Sequence, residues 1–329
     1  MKSQKFSLKL GLLISIVLLL SASSLYALDL AATWNGGGDG SSYGDYNNWD
    51  IDVVPCNVGE LYFMVAIPDG YTVNYTTSSC SVTQLELGNN SRINILSGGQ
   101  YDIVGTANLY GIISADNSNF TAIGGGASFP GNRARVWGSN GAQVSISAPT
   151  YSSTGLWDLS GSSAHTWTLM SATGAETILD LSSIQSIDAG FNDGQNTSYD
   201  NGERNYHIIG ASDGGMIDLS GLDTVTAPVQ NDDYVRFNLS GATSTIDLSS
   251  LSTITSASRG RVIFDVTQGA TLSLPSVETV FNGIFYASGG SRLNVNSSLA
   301  TYSSTGLWDL QGSSAHTWTL MSATGAETI

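Results

Sequence analysis

Beyond Lys9 the 329-residue sequence contains no lysine. Eight arginines then face 27 acidic residues, a formal charge of −19 (8 − 27). A surface of that sign repels phosphate backbones and anionic lipid, which argues against nucleic acid as a partner. It attracts cations such as Ca2+, and it also keeps an exported protein soluble. Histidine is limited to His165, His207 and His316, and cysteine to Cys56 and Cys80. With no histidine near the cysteines to complete a metal set, the pair reads as a disulfide closing a short loop, worth about 3 kcal/mol. No G-x-S-x-G, H-E-x-x-H, P-loop or dinucleotide-binding glycine pattern stands in a fitting context. Gly36-Gly37-Gly38 neither follows a strand nor opens a helix, so it is a poor phosphate cradle.

Long apolar runs are also missing, with one exception. Leu10 to Leu20 is apolar apart from Gly11 and Ser15. As a helix it would rise about 16 Å, short of the roughly 17 residues a membrane span needs. Lys2, Lys5 and Lys9 precede it, and a small-residue stretch ending Leu25-Tyr26-Ala27 follows. That order is a secretory signal peptide over residues 1–27, with cleavage after Ala27 and a secreted or cell-surface destination.

What is abundant is Gly, Ser and Thr, with Val, Ile, Leu and aromatics recurring at short intervals. The segment Thr150 to Ile178 recurs at Thr301 to Ile329 with a single change, Ser160 to Gln311. Since the first copy runs on into LDLSSIQSI, a strand is expected to be cut after Ile329, leaving a truncated piece of a longer repetitive protein. Shorter units begin at Leu179, Ile217, Ile246 and Leu272 (LDLSSIQSI, IDLSGLDTV, IDLSSLSTI, LSLPSVETV). Companion segments start at Phe237, Phe264 and Leu293. Each alternates apolar and polar residues before Gly, Ser or Pro intervenes, the period of a strand with one buried face. Recurrence every 26 to 38 residues without hairpin signals predicts an all-β, right-handed parallel β-solenoid (β-helix). A β-sandwich array is the alternative. The expected division is a signal peptide (1–27), an N-terminal cap with the first β-repeats and the disulfide (28–105), and solenoid repeats (106–329).

Within 28–105, W-N-G-G-G-D-G from Trp34, N-W-D from Asn48, V-P at Val54-Pro55 and L-E-L-G-N-N-S-R-I-N-I-L-S-G-G from Leu85 form a pattern. It resembles the start of large secreted bacterial β-helix proteins, the autotransporter-associated and haemagglutinin-like β-repeat groups. The LSLPSVETV units are also similar to the short leucine-rich repeats of bacterial surface proteins. The resemblance implies a structural or adhesive surface role with no catalytic set. Extracellular glycans or other cell-surface proteins are the partners it suggests.

Several groups are candidates for chemistry. Asp180, Asp218 and Asp247, with Ser273 in the fourth unit, could form a Ca2+ or crystal-face ladder, or a solvated outward row. Unequal intervals suggest coils intervening between them, and the solvated row is the preferred reading. The loop from Asp188 to Glu203 offers Asp193, Asp200 and Glu203 as hard-oxygen ligands for Ca2+, beside Asn192, Asn196 and Asn201. Asp39, Asp45, Asn47, Asp50 and Asp52 form a comparable group, with Trp34 and Trp49 as packing residues or sugar platforms. Arg236, Arg261 and Arg292 near Asp232, Asp233 and Asp265 are the residues a polysaccharide lyase or hydrolase would draw on, or plain surface ion pairs. His165 and His316 are copies of one repeat position, which argues for a structural place. The expectation is a non-enzymatic module with no resident cofactor other than, as a candidate, Ca2+.

Overall fold

In the computed structural model, the structure describes residues 27–158, 164–192, 204–230, 233–256, 259–296, 298–304 and 319–325. The signal-peptide reading of residues 1–26 lies outside them. The described chain is a parallel β-solenoid. It has no α-helix, only a single 3-10 turn at Tyr46–Asn48. Every ladder between strands is parallel, which removes the sandwich alternative. No helix among the described residues is long and apolar enough to cross a membrane.

Three long sheets run along the coil stack. The first contains Leu28–Thr33, Leu61–Ile67, Cys80–Leu87, Gln100–Leu109, Asn119–Ala122, Gln143–Ile146, Ile178–Asp180, Met216–Asp218 and Thr245–Asp247. The second runs from Thr72–Tyr75 through Arg92–Ile95, Ile112–Asp116, Arg135–Ser139, Ala164–Thr173, Arg204–Ser212, Tyr234–Ser240, Arg261–Thr267 and Gly283–Ser288 to Met321–Thr324. The third begins only at Thr150–Ser152 and continues through Ser186–Asp188, Thr224–Ala227, Thr253–Ser256 and Thr279–Phe281 to Thr301–Ser303. Early coils are therefore two-sided and short, whereas those after Thr150 have three sides.

Alternation explains the strands. Tyr234–Ser240 reads intermediate–buried throughout, with Val235, Phe237 and Leu239 inside. Because coils stack in register, like falls on like. Phe237, Phe264 and Phe285 pile in parallel planes at 5.1 and 5.4 Å, each contact adding about 0.5–1.5 kcal/mol beyond its buried area. The corners that follow Ser139, Ser212 and Thr267 of the second sheet take two successive left-handed residues. Asn140-Gly141, Asp213-Gly214 and Gln268-Gly269 supply them, glycine coming second each time.

The duplication occupies equivalent places. Thr150–Ser152 and Thr301–Ser303 lie in the third sheet, five coils apart, while Met170 and Met321 both lie in the second. The companion segment at Leu293 needs correction. It pairs with Leu272 rather than continuing the Phe237–Phe264 ladder, whose next rung is Phe285. An aliphatic start matched it to the wrong side of the coil.

Near the N-terminus, Trp34, Tyr43 and Trp49 are buried together. The Tyr43 ring lies within 5.4 Å of Trp49, Tyr75 and Tyr101 in edge-to-face contacts. Its hydroxyl donates to the Pro55 carbonyl. The Cys56–Cys80 disulfide joins the following turn to the first sheet, with Cα atoms 5.3 Å apart.

Candidate functional site

The sequence-predicted groups separate into structural devices and one loop. Asp180, Asp218 and Asp247 sit on consecutive rungs, with no coil between them. The unequal intervals are absorbed by loops, so the expectation of intervening coils fails. Each carboxylate accepts the N–H two residues on, from Ser182, Ser220 and Ser249 respectively. These are turn caps at a coil corner. Partial burial pushes the Asp180 carboxyl up, but bonds from Ser182 and from the Ser145 hydroxyl outweigh it and hold its pKa below the ordinary value. Ser273 belongs to a separate two-strand ladder with Arg292–Val295, and there accepts from the Asn294 amide at 3.2 Å. Asp193, Asp200 and Glu203 lie outside the described residues, as do Asp232, Asn196, Asn201 and His316. Among the described residues no three His, Cys, Asp or Glu side chains gather as a metal set.

The N-terminal acids are likewise engaged by the chain itself. Asp39 accepts from Ser41 N–H, Ser42 N–H and the Asn48 amide, and Asp45 from Asn47 and Asp39. For Asp39 the Ser42 bond, and for Asp45 the Asn47 bond, is the main reason the carboxyl lies below its ordinary pKa. Asn48, fully buried, accepts from Gly38 and Gly40 and donates to Asp39 and the Ser42 carbonyl. The glycines of the W-N-G-G-G-D-G motif thus spend their N–H groups on Asn48 and Asn35. Trp34 and Trp49 are core residues, 5.1 Å apart and inaccessible to sugar.

His207 and Ser153 form a buried pair, Oγ to Nδ1 2.8 Å. His207 Nε2 lies 2.7 Å from the Leu156 carbonyl, so Nε2–H donates and Nδ1 accepts the Ser153 hydroxyl. Burial lowers its pKa to about 4, against the opposing effect of the Leu156 bond. Beside it, the buried Asn205 side chain accepts from Asp158 N–H and Trp167 Nε1–H, while the Asn205 backbone N–H donates to buried Asp233. The four residues hold the 153–158 corner to the next coil. With no exposed atom, the Ser–His pair meets no substrate. His165 sits 3.8 Å from Asp158.

The outward face of the second sheet is different. Its strands carry five of the eight arginines (Arg92, Arg135, Arg204, Arg236, Arg261) and two acids, Asp116 and Asp265. Strands of the first sheet carry six acids and no arginine. Aromatic side chains accompany the arginines. The guanidinium carbons of Arg92 and Arg135 lie 4.9 and 5.3 Å from the Trp137 ring centre, and Arg135 is 5.9 Å from that of Trp167. Farther along, Tyr206 and Tyr234 stack at 4.2 Å, and Arg236 lies 4.8 Å over Tyr234. Ile263 and Ile284 also point out of this sheet, buried beneath Tyr234, Tyr286 and Leu320. Asn74, Asn94, Ser114, Trp137 and Ser171 form one register column.

Around Trp137 the face hollows into a depression of about 360 Å³, lined by Arg92, Ser114, Trp137, Ser139, Thr168, Ser171 and Thr173 among others. Of the arginines named from sequence, Arg236 meets Asp265 at 3.7 Å, whereas Arg292 begins a strand outside this sheet. Arg92, Arg135 and Trp137 were missed, although each stands at an outward position of a period-two strand (RINI, RVWGS). That spacing was the available signal. No family pattern, curated protein or solved structure matches the chain.

Proposed function

We propose that this chain is a secreted or cell-surface structural and adhesive solenoid of the haemagglutinin-like kind, which binds extracellular glycans along the outer face of its second sheet. The observation that carries the reading is the run of outward aromatic and arginine side chains on a surface rich in Ser, Thr and Asn. Rings of this kind offer large, rigid, amphipathic contact area at little entropic cost. A register-locked sheet presents them at a repeat of about 4.8 Å per coil, suited to a linear polymer laid along the stack. Export follows from the N-terminal 27 residues and is compatible with the disulfide. The Asp193, Asp200 and Glu203 loop is retained as a Ca2+ candidate, to be tested by calorimetric titration of the exported chain.

Binding is preferred over cleavage. None of the residues lining the Trp137 hollow is an acid, histidine or tyrosine. The lyase alternative would have to use Tyr234, Arg236 and Asp265, where burial raises the Tyr234 pKa and so disfavours a phenolate base. The test is titration of the exported chain with a panel of soluble polysaccharides, followed by tryptophan fluorescence and calorimetry. Saturable binding that weakens in Trp137→Ala supports the reading. Failure to bind any panel member overturns it, and release of unsaturated uronates on incubation would install the lyase in its place.

A further inference from the structure

We propose that the hollow around Trp137 is a subsite for an acidic sugar, so that the glycan bound by this face carries carboxylate or sulfate groups. The inference rests on the glycan-binding reading and narrows it to a substrate class.

Arg92 and Arg135 occupy one register column, two rungs apart with Ile112 between them. Both guanidinium groups lie within 5.3 Å of the same indole centre. Among the described residues neither has a carboxylate within ion-pair distance, although the chain has 27 acids to draw on. Asp116, on the neighbouring strand, is instead engaged by the Ser139 hydroxyl and the Asn140 amide. Arg92 makes one side-chain bond, to Ser114 Oγ at 2.8 Å, and the Nε–H groups of both arginines find no acceptor.

Burial disfavours the charged form of each, and at Arg135 the neighbouring Arg92 and Arg133 add to it, against an opposing contribution from Tyr151. A partly desolvated pair of like charges is an unstable arrangement by itself. An anion between them removes the repulsion and supplies charge-assisted, bidentate hydrogen bonds.

Arg236, in the same column farther along, shows the contrast: Asp265 already stands beside it. Among the described residues Arg92 and Arg135 lack the relief that Arg236 has. Arg92 lines the hollow and Arg135 reaches the same indole from beside it; the rest of the lining suits a sugar ring, with Trp137 and the hydroxyl-bearing Ser114, Ser139, Thr168, Ser171 and Thr173. Its size falls within the roughly 300–1,000 Å³ of small-molecule sites. The long-range field of a chain at −19 opposes a polyanion, but that field is screened beyond about 8 Å at physiological ionic strength. Contact with the arginine pair is not.

The experiment compares polygalacturonate with its fully methyl-esterified form, and dextran sulfate with dextran, on the exported chain and on Arg92→Gln/Arg135→Gln. Arg292→Gln, on a strand outside this sheet, is the control for loss of a positive charge, and thermal melting verifies folding of each variant. At least one acidic polymer should bind about tenfold or more tighter than its neutral counterpart. The double variant should lose that preference while keeping any neutral binding, and Arg292→Gln should retain it. Equal affinity for acidic and neutral forms, unchanged in the double variant, overturns the inference and leaves the glycan-binding reading standing. Absence of binding to all four overturns both. Glycan-free self-association abolished by the double variant also overturns it, because the acidic first sheet of a second copy would then be the anion.

Discussion

Acidification from pH 7 to pH 4 tests the buried staple around His207. The imidazole is inaccessible, donates to the Leu156 carbonyl and accepts from Ser153, so the folded chain holds it neutral with a pKa of about 4. In the unfolded chain the ordinary value is 6.5. Above 6.5 neither state takes the proton. Between 6.5 and about 4 the unfolded state binds it and the folded state does not, so stability falls as pH drops. Below about 4 both are protonated and the loss is complete. The gap corresponds to about 3 kcal/mol. Asp39 and Asp45 titrate in a lower window, because their carboxyls are held below 3.8 by the N–H bonds they accept. Their contribution is present above 3.8 and is lost only as pH falls through those lowered values. The assay is denaturant unfolding at a series of pH values, read by tryptophan fluorescence, for the natural chain and His207→Gln. The variant is expected to be less stable at pH 7, since Ser153 and the Leu156 carbonyl lose their partner. The readout is its slope between pH 6.5 and 4, which should be shallower. Parallel slopes, or an imidazole NMR titration of His207 near 6.5, would refute the reasoning.

Two further outcomes concern the N-terminal region. Asn48→Ala removes a buried side chain with four hydrogen-bond partners and should cost on the order of 3 kcal/mol. Its near-ultraviolet circular dichroism should change as Trp34 and Trp49 loosen, and an unaltered melt and spectrum would contradict the assigned role. Reduction of Cys56–Cys80, or Cys56→Ser/Cys80→Ser, reopens a loop with a sequence separation of 24 and should lower stability by about 3 kcal/mol in denaturant titrations. An unchanged midpoint would count against that loop argument.

The fold was legible because a solenoid writes its geometry as local alternation plus recurrence. Val235, Phe237 and Leu239 alternate with polar neighbours, and Phe237 has an equivalent in Phe264 one coil later. Register between coils was less legible. Counting residues from Asp180 to Asp218 and on to Asp247 mixes rung height with loop length, and only pairing shows that the three are immediate neighbours. Leu293 was misplaced for a related reason: aliphatic-polar-aliphatic looks alike on every side of a coil. The arginine–tryptophan hollow was invisible to motif reading. Arg92 and Arg135 are 43 residues apart in the sequence and become neighbours of one indole only through stacking on the one rung between them.

Segregation of charge gives the site its physical logic. A register-locked stack brings equivalent positions to about 4.8 Å, so like charges in one column repel unless something relieves them. In the first sheet relief is internal: Asp180, Asp218 and Asp247 turn their carboxylates onto backbone N–H groups of the following corner. In the second sheet Arg236 is relieved by Asp265, and Ile112 spaces Arg92 from Arg135. Spacing alone leaves two guanidinium groups on one indole without an acceptor for their Nε–H. On the proposed reading the answering group at the Trp137 hollow comes from outside the chain, an acidic sugar beside the indole supplying the anion.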